Sequence, residues 1–143
     1  SWLPSYGPEM RGGIANCSVI VSEDPIGSPI VSKPDVLVAM NLPSLDKYEN
    51  EVVPGGKIFV DSSLVDRKVL RTDVDVYYIP ATALASENKM PKLANMIIMG
   101  KLLSAIGEYT AEGIENTLAK VIPAKKANML DFNRKALELG AKE

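Results

Sequence analysis

An α/β fold is predicted for this chain: a layered sheet of mostly parallel strands with one hairpin, flanked by helices and followed by a helical C-terminal third. Three observations predict it. Continuous apolar runs such as Val36 to Met40 are those of strands covered on both faces. Short helical patterns and glycine or proline turns separate these runs, as α/β layers require. From Ala81 onward the apolar spacing changes to that of helices.

Taken in order, Ala15 to Ser22 alternates loosely and reads as a strand. Glu23 to Pro29 is turn chemistry, with prolines fixing φ and a glycine free to take positive φ. Ile30-Val31 reads as a short return strand completing a hairpin. Val36 to Met40 is the next strand, ending at Asn41. A short helix lies within Leu42 to Val52, with Ser44 as its N-cap. Pro54-Gly55-Gly56 turns the chain into the strand Lys57 to Asp61, and Val74 to Pro80 is a further β-rich strand. Ala81 to Ser86 is a short helix. The next runs from Pro91 at its first turn to about Ile106, stopped by Gly107; its centre is apolar nearly all round and should pack on more than one side. Thr110 caps a third helix whose stripe is Ile114, Leu118, Val121 and Ile122, ended by Pro123. A last helix covers about Lys125 to Leu139, with Leu130 and Leu137 inward and Gly140 as its stop. No repeat, low-complexity stretch or linker interrupts residues 1–143, so one α/β domain is expected.

Composition narrows the function. Of 143 residues, 46% are apolar and 24% charged, at a formal net charge of -2, the profile of a soluble globular protein. No basic stripe suits nucleic acid. The longest apolar runs fall far short of the roughly 20 residues that span a bilayer. The chain has no histidine and one cysteine, Cys17. One thiol makes no internal disulfide and cannot supply the thiolates that hold an iron–sulfur cluster. No metal site or cofactor held by this chain alone is expected, and a reducing, cytoplasmic setting fits. The start at Ser1-Trp2, without a methionine, reads as an incomplete N-terminus.

The candidate site residues centre on "SYGPEMRGG". Gly7, Gly12 and Gly13 allow close backbone approaches, and Pro8 stiffens the segment. Glu9 and Arg11 project to the same side of an extended chain. The Arg11 guanidinium is a planar fork suited to carboxylate or phosphate. Either this rigid loop presents an arginine and backbone N–H groups to an anion or a partner, or it is a structural turn. Asn41 and Ser62-Ser63 stand at strand carboxyl ends, where ligands of open α/β sheets bind, or they cap the helices that follow. Asn95 is expected to hydrogen-bond in the core or to line a cleft, the core being favoured. Cys17 is read as a small buried hydrophobe, Asn133 as a satisfied buried amide or contact residue, and Tyr77-Tyr78 as strand filling. No catalytic triad, paired-carboxylate pattern, zinc motif or Walker loop is present, so the residues alone give an α/β domain with an unusual loop and no reaction.

Several uncommon blocks occur in one order: "WLPSYGPEMRGGIANCSVIVS", "PIGSPIV", "PDVLVAMNLPSLDKYE", "VPGGKIFVDSSLV", "VYYIPATALA" and "ANMIIMGKLL". In this the chain resembles the gamma subunit of 2-oxoacid:ferredoxin oxidoreductases from Trp2 to about Gly140. The 2-oxoglutarate type is most similar and the branched-chain type close behind; pyruvate and indolepyruvate relatives differ more around "GPEMRGG".

The resemblance implies a subunit of an enzyme of anaerobic metabolism that oxidatively decarboxylates a 2-oxoacid with coenzyme A to acyl-CoA, carbon dioxide and reduced ferredoxin. It implies thiamine diphosphate with magnesium on alpha and beta subunits, iron–sulfur clusters on cysteine-rich subunits such as a ferredoxin-like delta, and ferredoxin as acceptor. It implies further that Tyr6, Gly7, Glu9, Arg11, Gly12 and Gly13 face the neighbouring subunits and the coenzyme A channel. Family members begin with a strand and a G-x-G-G-Q-G loop suited to pyrophosphate. Neither is present here, so the sheet is expected to lack a central strand. Competing readings are a free-standing nucleotide- or flavin-binding module of flavodoxin-like shape and a purely structural interaction subunit.

Overall fold

The computed structural model describes residues 2–6, 15–28, 30–107 and 109–143, and within them the side chains of all but 2–6, 15, 124 and 127. Strands β3 (Val36–Ala39), β4 (Lys57–Asp61) and β5 (Asp75–Ile79) form a parallel sheet with β4 in the middle. The register sets Val38 beside Phe59 and Phe59 beside Tyr77.

Strand alternation sends the central strand's side chains to both faces, and both are covered. Phe59 packs with Ile79, Ile97, Ile98 and Ala136 on one face; Ile58 and Val60 pack with Ala39, Leu45, Val52 and Val65 on the other. Each such side chain, fully buried, contributes about 1.5–3 kcal/mol. The Tyr77 ring stacks on Phe59 with centroids 4.7 Å apart. Covering both faces is what a continuous apolar strand requires.

The helices divide between the two faces. Helix α1 (Leu42–Tyr48) covers the second face with the crossover loop 62–74. Its N-cap is Asn41, not Ser44: the Asn41 Oδ1 accepts the Ser44 N–H at 2.9 Å. Pro43 fits the first turn, where no intrahelical N–H is needed, so the helix begins at Leu42 and its cap moves back to Asn41. Helices α2 (Ala81–Glu87), α3 (Ala94–Ile106) and α5 (Ala127–Lys142) cover the first face.

Helix α3 starts at Ala94, later than Pro91. Residues 90–93 form a turn, with Met90 N–H on the Ala85 carbonyl and Leu93 N–H on that of Met90, and this turn buries Met90. Gly107 ends α3 at φ 73°, a left-handed cap that glycine adopts without strain.

Gly140 does not stop the last helix. Helix α5 continues to Lys142, and Gly140 sits against α3, where a Cβ would run into the Ile97 backbone. Gly100 answers it from α3, where a Cβ would meet the Leu137 backbone. The apolar centre of α3 thus packs on more than one side, against the sheet and α5, while Met99 is left exposed on the side of a surface cleft.

Helix α4 (Ala111–Val121) is capped by Thr110, whose hydroxyl accepts the Gly113 N–H at 3.0 Å. Leu118 is buried, but Val121, expected on the inward stripe, is exposed. The helix meets the body through Leu118 and through Glu115, which pairs with Arg134 of α5, and its final residue Val121 is left in solvent.

A separate antiparallel ribbon joins β1 (Trp2–Tyr6) to β2 (Ala15–Val19), running from Trp2 opposite Val19 to Tyr6 opposite Ala15. The hairpin therefore forms with residues before β2. Ile30 and Val31 are not in a strand, and Ile30 is exposed. A ribbon strand tolerates Pro4, which has no N–H to give. No strand among the described residues pairs with the outer edge of β3.

Candidate functional site

Tyr6 and Ala15 are paired, and Gly7, Glu9, Arg11, Gly12 and Gly13 lie between them in sequence; they lie outside the described residues, as does the Tyr6 side chain.

Between the ribbon and the sheet opens a cleft of about 580 Å3. One wall is β2, from Asn16 to Val19; the opposite wall is β3, from Val36 to Val38. Ser44 and Tyr48 of α1 and Asn95, Ile98 and Met99 of α3 complete it. Asn95 is exposed on this wall, so it lines a cleft and is not in the core. It opens α3, a helix that needs its apolar positions for Ile97 and Ile98 and turns Asn95 away from them. Cys17 is exposed too, since a two-stranded ribbon has no covered face comparable to that of the central sheet.

Across the cleft, the Asn16 side-chain N–H donates to the Tyr48 hydroxyl at 2.6 Å, joining residues 32 positions apart. The Lys47 ammonium stands 5.2 Å from the centre of the Tyr48 ring, within cation–π range. This pair is a connection that reading the residues missed. An asparagine in an alternating strand and a tyrosine at a helix end each look ordinary, and no local signal links them.

Asn41 and Ser62 take different roles. The Asn41 side-chain oxygen is committed to the α1 cap. Ser62 is exposed beyond β4 and donates its N–H to the Ile79 carbonyl at 2.9 Å. The polar centre at that strand end is Asp61, wholly buried, which accepts from the Thr82 hydroxyl at 2.5 Å and the Ser63 N–H at 3.0 Å. The Ser63 hydroxyl in turn accepts the Ala83 N–H at 3.1 Å. These contacts tie the carboxyl end of β4 to the first turn of α2, so the serine pair belongs largely to a capping arrangement. The Asn133 amide is also satisfied locally, donating to the Met129 carbonyl at 2.6 Å.

Loop 62–74 is strapped to α1 by a second buried carboxylate. Glu49 accepts from Arg67 at 3.0 Å and from the Leu70 N–H at 2.6 Å, while Arg67 also meets Asp46 at 2.6 Å. Arg71 donates to the Val52 carbonyl at 2.6 Å and pairs with Asp73. Its hydrogen bond holds the Asp73 carboxyl below the usual carboxylate range, and Arg134 does the same for Glu115. A hydrogen bond from Lys57 to Asp75, at 3.0 Å, raises the lysine.

Among the described residues no cluster of three or more acidic, cysteine or histidine side chains could hold a metal ion, and no helix is long and apolar enough to cross a membrane. The polar groups described near the cleft can orient or bind.

A family model described as pyruvate ferredoxin/flavodoxin oxidoreductase matches residues 1–143. The chain is 37% identical to the 2-oxoglutarate synthase subunit KorC of Methanocaldococcus jannaschii, over 91% of this chain and 72% of that protein. In structure it matches the gamma subunit of the keto/oxoacid ferredoxin oxidoreductase of Geobacter sulfurreducens at a TM-score of 0.77 and 28% identity, over 99% of this chain and 78% of that one. It also matches the 2-oxoglutarate:ferredoxin oxidoreductase of Magnetococcus marinus, solved with 2-oxoglutarate, coenzyme A and succinyl-CoA bound, at a TM-score of 0.64 and 26% identity, over 76% of this chain and 20% of that one. The chain belongs to the pyruvate ferredoxin/flavodoxin oxidoreductase family. Within it, the chain is a gamma-type subunit of a 2-oxoacid oxidoreductase.

Proposed function

We propose that this gamma-type chain works inside a cytoplasmic 2-oxoglutarate:ferredoxin oxidoreductase and presents its arginine–glycine segment to coenzyme A and to the companion subunits. The observation that carries the reading is the likeness to KorC across nearly the whole chain, with a coenzyme A-bound relative sharing the fold.

The division of labour follows from side-chain chemistry. A chain with one cysteine and no histidine cannot ligate a cluster or shuttle protons through imidazole. This agrees with what the family resemblance implies, that thiamine diphosphate with magnesium is held by alpha and beta subunits and the clusters that reduce ferredoxin by a cysteine-rich delta-type subunit. What this chain can offer an acyl carrier is anion recognition. Arg11 supplies a charge-assisted fork for a phosphate, and Gly7, Gly12 and Gly13 leave backbone N–H groups unshielded. Glu9, two positions from Arg11 in sequence, is proposed to orient it or to meet a cation of a partner surface. Tyr6, Asn41, Ser62 and Asn95 complete the set proposed to face ligand or partner, with Asn95 acting from the cleft wall.

Binding of coenzyme A to the isolated subunit, compared with binding to the assembled complex, tests this. Binding is expected only once the partner subunits are present. Turnover of a 2-oxoacid by the isolated chain, or a flavin bound to it, would overturn the reading.

A further inference from the structure

Helix α5 carries an apolar stripe that outruns its partner helix. Gly140 lies against Ile97, and Gly100 against Leu137, so α5 and α3 run antiparallel and advance in step. On that register Met129, eight positions before Leu137, falls beyond Gly107, where α3 has ended. The stripe that buries Asn133, Ala136 and Gly140 therefore continues to Met129 with nothing of α3 left to cover it. Met129 is 38% exposed, and Phe132, its neighbour three positions along the helix, is 44% exposed.

This end of α5 is also basic. From Lys120 to Lys135 the chain has four lysines and Arg134 against one acid, Asp131, although the whole carries a net charge of -2. Arg134 is taken by Glu115 and Asp131. Lys125, Lys126 and Lys135 are exposed, and none has an acidic partner among the described residues. Cations at the start of a helix oppose its dipole, and the first turn of α5 has no acid to offset them. The lysines thus do nothing for the helix itself.

We propose that this end of α5 is a docking surface for a companion subunit of the oxidoreductase complex. Met129 and Phe132 enter an apolar recess of the partner, and Lys125, Lys126 and Lys135 face its aspartates and glutamates. The inference rests on the chain being a gamma-type subunit, not on the coenzyme A reading. An apolar centre inside a polar rim is the anatomy of a protein interface, and the uncompensated lysines set the sign of the partner's charge. Lipid is the poorer match, because two apolar side chains offer too little area to hold a membrane surface. Nucleic acid would use the lysines and leave Met129 and Phe132 idle.

The test uses the whole complex with Phe132→Gln, or with Lys125→Glu, Lys126→Glu and Lys135→Glu together, in its gamma subunit. The dissociation constant of that subunit is read from its loss on dilution at low and at high salt. Phe132→Gln is expected to raise it roughly tenfold or more at both, since salt does not screen an apolar contact. The lysine reversal should raise it about tenfold or more at low salt and much less at high salt. Because the reversal changes only exposed side chains, it decides the matter even where Phe132→Gln weakens the fold. Lys92→Glu, before the opposite end of α3, is the control and should change nothing. Unchanged dissociation in the reversal overturns the proposal, and so does an equal effect from Lys92→Glu. Intact assembly with a raised KM for ferredoxin, or with lost binding to anionic phospholipid vesicles, also overturns it and gives the face to a soluble carrier or a lipid. Each of these results leaves the coenzyme A reading, which Arg11→Ala tests, where it stands.

Discussion

The sheet with its helices and the β1–β2 ribbon are built on opposite principles. In the sheet, β4 is buried on both faces, and α3 and α5 approach until only glycine fits between them. In the ribbon, Cys17 and Val19 are exposed, and a cleft separates β2 from β3. One region stores stability in close packing. The other is tied to the body by individual polar contacts such as Asn16 to Tyr48 and leaves side chains of β2 exposed. The difference separates a packed body from the region to which the segment proposed to meet coenzyme A is joined in sequence.

Substitutions should separate the two regions, most strongly at the helix contact. Gly140→Ala pushes a methyl into the Ile97 backbone, and a loss of at least about 2 kcal/mol in denaturant unfolding is expected. Glu49→Gln removes a buried carboxylate from Arg67 and Leu70; a loss of about 2 kcal/mol, with faster proteolysis in loop 62–74, is expected. Asn41→Ala removes the α1 cap and should lower stability by about 1 kcal/mol. Acid acts more weakly. Glu115 and Asp73 are held below their ordinary values by arginine hydrogen bonds. Their contribution is full only above the unfolded values of about 4, that is from roughly pH 5 upward, where the unfolded carboxylates are ionised, and is lost as pH falls through the lowered folded values. A pH series of melting temperatures should show a small decline in that window, absent for Glu115 when Arg134 is replaced by leucine. At the ribbon, Asn16→Ala should shift unfolding by less than about 0.5 kcal/mol.

Local patterns were legible in the sequence; long-range partnerships were not. The Lys57–Asp61 strand, the Thr110 cap and the Gly107 stop each depend on a few consecutive residues, and each was read correctly. Gly140 has the same chemistry as a helix stop, and only the approach of α3 shows it to be a packing residue. Val121 fits the helical period, yet nothing in the period says where the neighbouring helix ends. The proline- and glycine-rich turn after β2 suits a hairpin, but the strand that pairs with β2 precedes it. The family was legible in the order of the uncommon blocks. The contact of Asn16 with Tyr48 was not, nor the hold of Arg67 and Leu70 on Glu49, because the partners lie 18 to 32 positions apart.

The most direct trial of this account is the steady-state KM for coenzyme A in a holoenzyme bearing Arg11→Ala in the gamma subunit. Loss of a charge-assisted contact of about 1.5–3 kcal/mol should raise it roughly ten- to hundredfold or prevent assembly. An intact complex with an unchanged KM would contradict the account.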